Sequence, residues 1–404
     1  MTQSPSYGRA TALQLTLPQS RPEKPVLLVT NYRLDNQHSM LRFATLLAAG
    51  LRSQGVEVTV TQPTVLLARL LPSWQRLQKG MRMADKFLLF PLLLRIAARR
   101  FHGQTGGLVH LMDQGNGVYV PALRHLPLLV TCHDFIAVKE SLGLLRHPGM
   151  GSPKNSLYQK RNLSGLRQAS WFACDSTATR EDCVSLLHAE PSNCELIAAP
   201  LDPFFAVPAG KRPAGFPDHY LLSMGNAGWY KNRPGTLRIY AEMRTLGCQL
   251  PLVVMGGPLS PEEAALADSL GVTQHLMPCY HPDDATVRDA YAHAEALLFP
   301  SLEEGFGWPI IEAQAQGCLV VTTNRAPMTE TGGSPALYVD PARPLESAHS
   351  IMTYLERGAR TADLVALRRA HAMSFSLDRF AASYRRLYQR VLGTQASLES
   401  HSSR

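Results

Sequence analysis

Apolar positions along the chain fall into two alternating rhythms. Short apolar runs at 25–31, 56–61, 108–112, 128–132, 171–174 and 195–198 predict buried strands. Between them, apolar residues recur at spacings of three and four, as at Met40, Phe43, Leu46, Leu47 and Leu51, and predict helices. A helix over 176–188 would start on Ser176 or Thr177, whose hydroxyl can cap free N–H groups. The rhythm pauses at 207–218, a segment rich in Pro, Gly and Ala that reads as a linker. It resumes with strands at 220–224, 252–255, 274–277, 296–299, 319–322 and 336–339, and closes on helical patterns at 346–357, 364–373 and 377–392. Strands alternating with helices predict an α/β protein with parallel sheets. The ends, 1–24 and 394–404, are polar and read as disordered tails.

Length and composition sharpen this picture. A chain of 404 residues suits two domains, and 45% apolar with 18% charged residues leaves ample core. Seven scattered cysteines form no paired Cys-x-x-Cys set, so reduced thiols without a zinc site are expected. No leader of charged, apolar and small-residue segments opens the chain, which predicts a cytoplasmic protein.

Charge is uneven. Residues 1–205 carry 22 Lys and Arg against 13 Asp and Glu, while 206–404 carry 18 against 19. The excess of nine in the first half points to an anionic partner there. Nucleic acid is disfavoured, because no helix-turn-helix, zinc-finger or aromatic RNA-binding pattern accompanies the charge. The basic stretch at 69–100 holds eight Lys and Arg, one acid (Asp85), and Trp74, Phe87 and Phe90. Its apolar run is too short to span a bilayer, since spanning takes about 20 residues. It reads either as a segment lying against an anionic membrane at its inner face or as an ordinary helical pair with a solvated basic side.

The densest chemistry lies at 299–340. An apolar strand leads into Glu304-Gly305-Phe306-Gly307-Trp308-Pro309, then a helix carrying Glu312. Proline is tolerated in the first turn, and a glycine turn before a helix aims bare N–H groups and the positive helix end at an anion. Two carboxylates flanking such a site suit hydroxyls, of a sugar on one side and a ribose on the other. Met224 to Asn232 (MGNAGWYKN) follows the first strand after the linker. Gly225 there lets a ligand approach the backbone, and Lys231 offers a diphosphate one fixed cation. His133-Asp134, His110 and Asp113 sit at strand ends of the first half.

The segment from Phe299 to Asp340, with Glu304 and Glu312 eight positions apart, resembles the Glu-x7-Glu signature of retaining glycosyltransferases of family 4. That resemblance implies a GT-B fold: two Rossmann-like domains facing across a cleft, with a C-terminal helix crossing back to the first. The corresponding boundaries are 25–205 for the acceptor domain, 206–375 for the donor domain and 376–393 for the crossover helix. It implies transfer of a hexosyl group, mannosyl being one candidate, from a nucleoside-diphosphate sugar to a glycan or lipid-linked acceptor in bacterial surface polysaccharide synthesis.

By the same resemblance the donor contacts are Gly225, Asn226, Lys231, Asn232, Glu304, Gly305, Phe306, Gly307, Trp308 and Glu312. Lys231, Glu304 and His133 are the catalytic candidates. Relatives often carry a second base where Asn226 stands, and a Gly-Gly pair where this chain has Asp35-Asn36-Gln37-His38-Ser39-Met40. Asn36, Gln37, His38, Ser39, His110 and Asp113 are candidates for the acceptor side. No Asp-x-Asp precedes the phosphate site, and Asp283-Asp284 reads as a helix start, so neither metal nor cofactor is expected beyond the nucleotide sugar as substrate. A non-catalytic sugar-nucleotide-binding protein and a sugar-nucleotide epimerase are the alternatives on this fold.

Overall fold

The structure, a computed structural model, describes residues 23–35, 37–64, 75–147, 156–226 and 228–402. Strands β1 (Val26–Val29), β2 (Val58–Thr61), β3 (Leu108–Leu111), β4 (Leu128–Cys132), β5 (Phe172–Cys174) and β6 (Cys194–Leu196) form one sheet in the order β2-β1-β3-β4-β5-β6. Strands β7 (Leu221–Gly225), β8 (Leu252–Gly256), β9 (Leu276–Tyr280), β10 (Ala296–Phe299), β11 (Leu319–Thr323) and β12 (Leu337–Val339) form the other, in the order β12-β11-β10-β7-β8-β9. Every pairing is parallel. Helices cover both faces, so central strands such as β1, β3, β4, β10 and β11 are buried throughout and read as unbroken apolar runs.

This order has a functional consequence. In each sheet the first strand lies inside, with its successors laid out first to one side and then to the other. The switch falls between β1 and β3 in the first sheet and between β7 and β10 in the second. Loops leaving a switch point diverge and open a crevice at the carboxyl ends of the strands, where ligands bind in open α/β sheets. The second sheet sends 228–232 and 300–307 into that crevice; the first sends 30–35 and 112–116.

The helix Leu377–Ser402 crosses back onto the first domain, as the sequence predicts, but continues past Gly393 because nothing after it breaks a helix. Ala381 and Leu377 press on Gly50 of the helix His38–Ser53; a Cβ on Gly50 would lie 2.9 Å from that of Ala381. Tyr384 and Tyr388 are buried beneath the first sheet, in one apolar core that runs through both domains.

Other elements also depart from expectation. β9 begins at Leu276 and extends through Pro278 to Tyr280, which is permitted because β9 is the sheet edge. The helix over the glycine turn begins one residue early, at Trp308. Pro91 does not interrupt the basic stretch. The helix Gln75–Ala84 widens into a π turn at Asp85–Leu89, where the N–H of Phe90 reaches the carbonyl of Asp85, and continues as Phe90–Thr105. A wider turn accommodates a residue that lacks an N–H. Residues 69–74 of that stretch, like 1–22, lie outside the described residues.

Candidate active site

At the carboxyl end of β7, Gly225 (φ 148°) lies beside Gly256 (φ 114°) of β8. A Cβ on Gly256 would fall 2.2 Å from the Gly225 carbonyl, so the two strand ends close up only as glycines. Arg233, 4% exposed, clamps them: its guanidinium donates to the carbonyls of Gly225, Gly257 (2.8 Å) and Pro258 (2.9 Å). A lone arginine in a helical pattern gave no sign of this role.

Asn232 has a different job from the one expected of it. In the left-handed region at φ 53°, it caps the helix Arg233–Thr245 by accepting from the N–H of Gly235 at 3.1 Å. Its side-chain amide donates to the Pro300 carbonyl at 2.9 Å. Asn232 therefore ties the two switch-point loops together and does not line the cleft. Lys231 does line it, and its ammonium meets both carboxylate oxygens of Glu304, at 2.8 and 2.9 Å.

Beyond Glu304 the two domains touch. A Cβ on Gly305 would sit 2.4 Å from the carbonyl oxygen of His133, so only glycine allows this approach. Gly307, at φ 95°, turns the chain into the helix Trp308–Ala315 without any side-chain cap. The first N–H groups of that helix therefore keep their positive potential at the cleft. The Trp308 indole donates to the Pro200 carbonyl at 3.0 Å, fixing the helix start against the end of the first domain.

Glu312, one turn further on, is 6% exposed. Arg42, from the first domain, donates to its Oε1 at 3.0 Å, and the Tyr291 hydroxyl to its Oε2 at 3.4 Å. Burial pushes the carboxyl up to about 7, with Arg42 pulling the other way and Asp284 and Asp202 adding to the rise.

His133 is buried, and both ring nitrogens are taken: Nδ1 donates to Asp175 at 2.6 Å and Nε2 to the Met112 carbonyl at 2.9 Å. Burial opposes its charge most, but Asp175, Asp113 and the Met112 carbonyl together outweigh it, and the imidazole is held protonated with a pKa of about 9. The residue lines the cleft, but with both nitrogens taken the ring is a fixed cation rather than a free hydrogen-bonding arm.

His110 is not on the acceptor side. It is fully buried, bonded to the Tyr388 hydroxyl at 2.8 Å and the Thr131 hydroxyl at 2.7 Å. Burial, then the charge of His133, pushes its pKa down to about 3. It bolts the crossover helix to the first sheet. The strand pattern could not say which of two neighbouring polar residues faces which way.

Asp113 does face a cavity. It is 3% exposed, accepts from Asn31 and from the N–H of Gly115, and lines a space of about 600 Å³ with Gln37, Lys86, Asn116 and Tyr158. That space adjoins the main cleft, of about 740 Å³, at His38, Ser39, Asp134 and Asn226. Asn36 lies outside the described residues. Among the described residues no three His, Cys, Asp or Glu side chains cluster as metal ligands.

Residues 211–366 match the family described as Glycosyl transferases group 1. A glycosyl transferases group 1 domain thus spans residues 211–366, which hold β7 to β12. The group 1 domain holds Lys231, Glu304 and Glu312. The D-inositol 3-phosphate glycosyltransferase of Rhodococcus opacus (strain B4) is 27% identical over 274 residues, covering 63% of this chain and 60% of that protein. The N-acetylgalactosamine-N,N'-diacetylbacillosaminyl-diphospho-undecaprenol 4-alpha-N-acetylgalactosaminyltransferase of Campylobacter jejuni is 29% identical over 172 residues, covering 42% and 46%.

The chain spans less than two thirds of the length of these curated relatives. Among solved structures, sucrose-phosphate synthase from Thermosynechococcus elongatus superposes with a TM-score of 0.68 at 17% identity, over 92% of this chain and all of that one. Anabaena Alr3699/HepE, solved with UDP and glucose, gives 0.64 at 15% identity, over 93% of this chain and all of that one. The fold is therefore GT-B, with the group 1 domain holding its second sheet.

Proposed function

We propose that the protein is a retaining glycosyltransferase that moves a hexosyl group from a nucleoside-diphosphate sugar to a glycan or lipid-linked acceptor in surface polysaccharide synthesis. The observation that carries this reading is the meeting of Lys231, Glu304 and the uncapped helix start at Trp308 on one switch-point crevice. A diphosphate sugar matches that set: the helix start and Lys231 for the phosphates, Glu304 for the sugar hydroxyls, and Glu312 for the ribose. When the bond between sugar and phosphate breaks, negative charge grows on the leaving β-phosphate oxygen. Donors already in position stabilise it without reorganising. Retention rests on the likeness of 299–340 to the retaining family 4 signature.

The acceptor would enter by the adjoining cavity. Its lining of amides and hydroxyls suits a polyhydroxylated ligand, and its ammonium, Lys86, is already paired with Asp35. A lipid-linked acceptor is supported by the name of the Campylobacter relative and by one helix face. On that face Leu88, Leu92, Leu93 and Ile96 are exposed beside Arg95, Arg99 and Arg100. No helix among the described residues is long and apolar enough to cross a membrane. The test is a panel of nucleotide sugars offered to purified protein with glycan and polyprenyl-diphosphate-linked acceptors. Transfer with the donor's anomeric configuration kept is the expected result. Failure of every donor to bind, or product of inverted configuration, would overturn it.

A further inference from the structure

Arg42 stands on the helix His38–Ser53 of the first domain, yet all its polar partners lie beyond that domain's sheet and helices. Nε donates at 2.6 Å to Asp202, which lies past β6 at the end of the first domain, and Nη1 donates to Glu312 of the group 1 domain at 3.0 Å. The guanidinium lies over the rings of Phe205 and Trp308, at 4.8 and 5.4 Å. The third nitrogen, Nη2, is buried with no protein partner, while the residue lines the cleft. A buried donor left unpaired costs about 1–3 kcal/mol, so a polar group arriving there gains a ready hydrogen bond. No pattern in the sequence links position 42 to position 312.

We propose that Arg42 is a positioning residue of the donor site: it holds Glu312 ionised and oriented for the ribose, so that the acceptor domain takes part in nucleotide binding. The inference rests on the donor-site reading above. It explains how a carboxylate as buried as Glu312 accepts hydroxyl donors near neutral pH. Four groups face Glu312. They are Arg42 from the first domain, Asp202 from the end of that domain, and Asp284 and Tyr291 from the helix Asp284–His293. Only Arg42 is cationic; the two aspartates and burial all favour the protonated acid. Without Arg42, the carboxyl would titrate higher still.

The test is calorimetry of UDP, GDP, ADP, CDP and TDP from pH 6 to 9.5, on wild type, Arg42→Gln and Arg42→Lys. In wild type the affinity of the diphosphate that binds should rise as pH passes about 7, where Glu312 ionises. Arg42→Gln should bind about threefold more weakly at pH 7.5 and about tenfold more weakly at pH 6, the effect of moving a titration by roughly one unit, and should recover toward pH 9.5. Arg42→Lys keeps a charge but not the fork, and should retain a profile close to wild type.

Loss of equal size at every pH would mean that Arg42 only supports the fold, and would overturn the proposal. An unchanged Arg42→Gln profile would overturn it too. Wild-type protein binding none of the five at any pH would instead overturn the donor-site reading on which it stands.

Discussion

Lys231 and Glu304 grip one another through a single ammonium bonded to both carboxylate oxygens, at 2.8 and 2.9 Å. Both are largely shielded, with side chains 15% and 8% exposed. The two groups assigned to opposite sides of the bond between sugar and phosphate are thus each other's counter-ion. On the proposed reading, a donor entering between them would exchange this mutual pairing for a phosphate contact on Lys231 and a hydroxyl contact on Glu304.

Lys231→Ala should therefore weaken transfer in two ways at once. A charge-assisted hydrogen bond to phosphate is worth about 1.5–3 kcal/mol, which corresponds to roughly ten- to hundredfold. Steady-state rates with the identified donor, beside a thermal melt to verify folding, measure it. Undiminished kcat/KM would remove Lys231 from the diphosphate site.

The two glutamates should separate cleanly. Glu312→Gln should lower affinity for the free nucleoside diphosphate, because the ribose is part of that ligand. Glu304→Gln should leave that affinity nearly intact and lower turnover of the complete sugar donor. Calorimetry with the diphosphate and initial rates with the donor distinguish the two. Equal loss of nucleotide affinity in both would mean that the sugar has been assigned to the wrong carboxylate.

If Lys231 and the helix start at Trp308 neutralise the diphosphate, chelator should leave turnover nearly unchanged. Rates with and without EDTA decide this. Activity abolished by EDTA and restored by magnesium or manganese would contradict it.

His110 predicts a pH dependence of stability. Its folded pKa is about 3 against 6.5 for the free side chain. Between those values the unfolded chain binds a proton that the folded protein does not, so stability falls as pH drops through 6.5. His133 works in the opposite sense: raised to about 9, its contribution is full below 6.5 and fades as pH climbs through 9. Melting from pH 7 to 5 should therefore fall more steeply in wild type than in His110→Gln. Parallel curves would show that His110 does not carry the dependence.

Leu88, Leu92 and Ile96, spaced four apart and exposed beside Arg95 and Arg99, should bind anionic vesicles. Each basic residue near such a surface contributes about 1 kcal/mol. Replacing Leu88 and Leu92 by Ser and reversing Arg95 and Arg99 to Glu should release the protein in flotation, with transfer to a soluble acceptor retained. Equal flotation of wild type with neutral and anionic vesicles would make this an ordinary solvated face.

The two-sheet architecture was legible because parallel strands buried on both faces are written as uninterrupted apolar runs, and the strand, glycine turn and helix around Glu304 and Glu312 because turn and helix start are local. Arg42 and Arg233 were not. Their roles depend on partners 270 and up to 25 positions away, which no local spacing encodes. His110 and Asn232 were misassigned for a related reason. A polar residue at a strand end or helix start can face a ligand or satisfy the backbone and core, and only packing decides. Phe299 to Trp308 escaped that ambiguity because a turn with two glycines leaves few alternatives.

The crossover helix gives the protein an unusual order of assembly. Tyr384, Leu387, Tyr388 and Val391 share a core with Val26, Leu28, Phe43 and Leu47, more than three hundred positions earlier. A chain emerging from the ribosome makes its first sheet early but cannot close the apolar surface beneath it until residues 377–391 follow. Domains usually fold as units in the order they are synthesised. Here the first domain is finished only after the second has been made, and a ribosome stalled before Leu377 would hold it with that surface open.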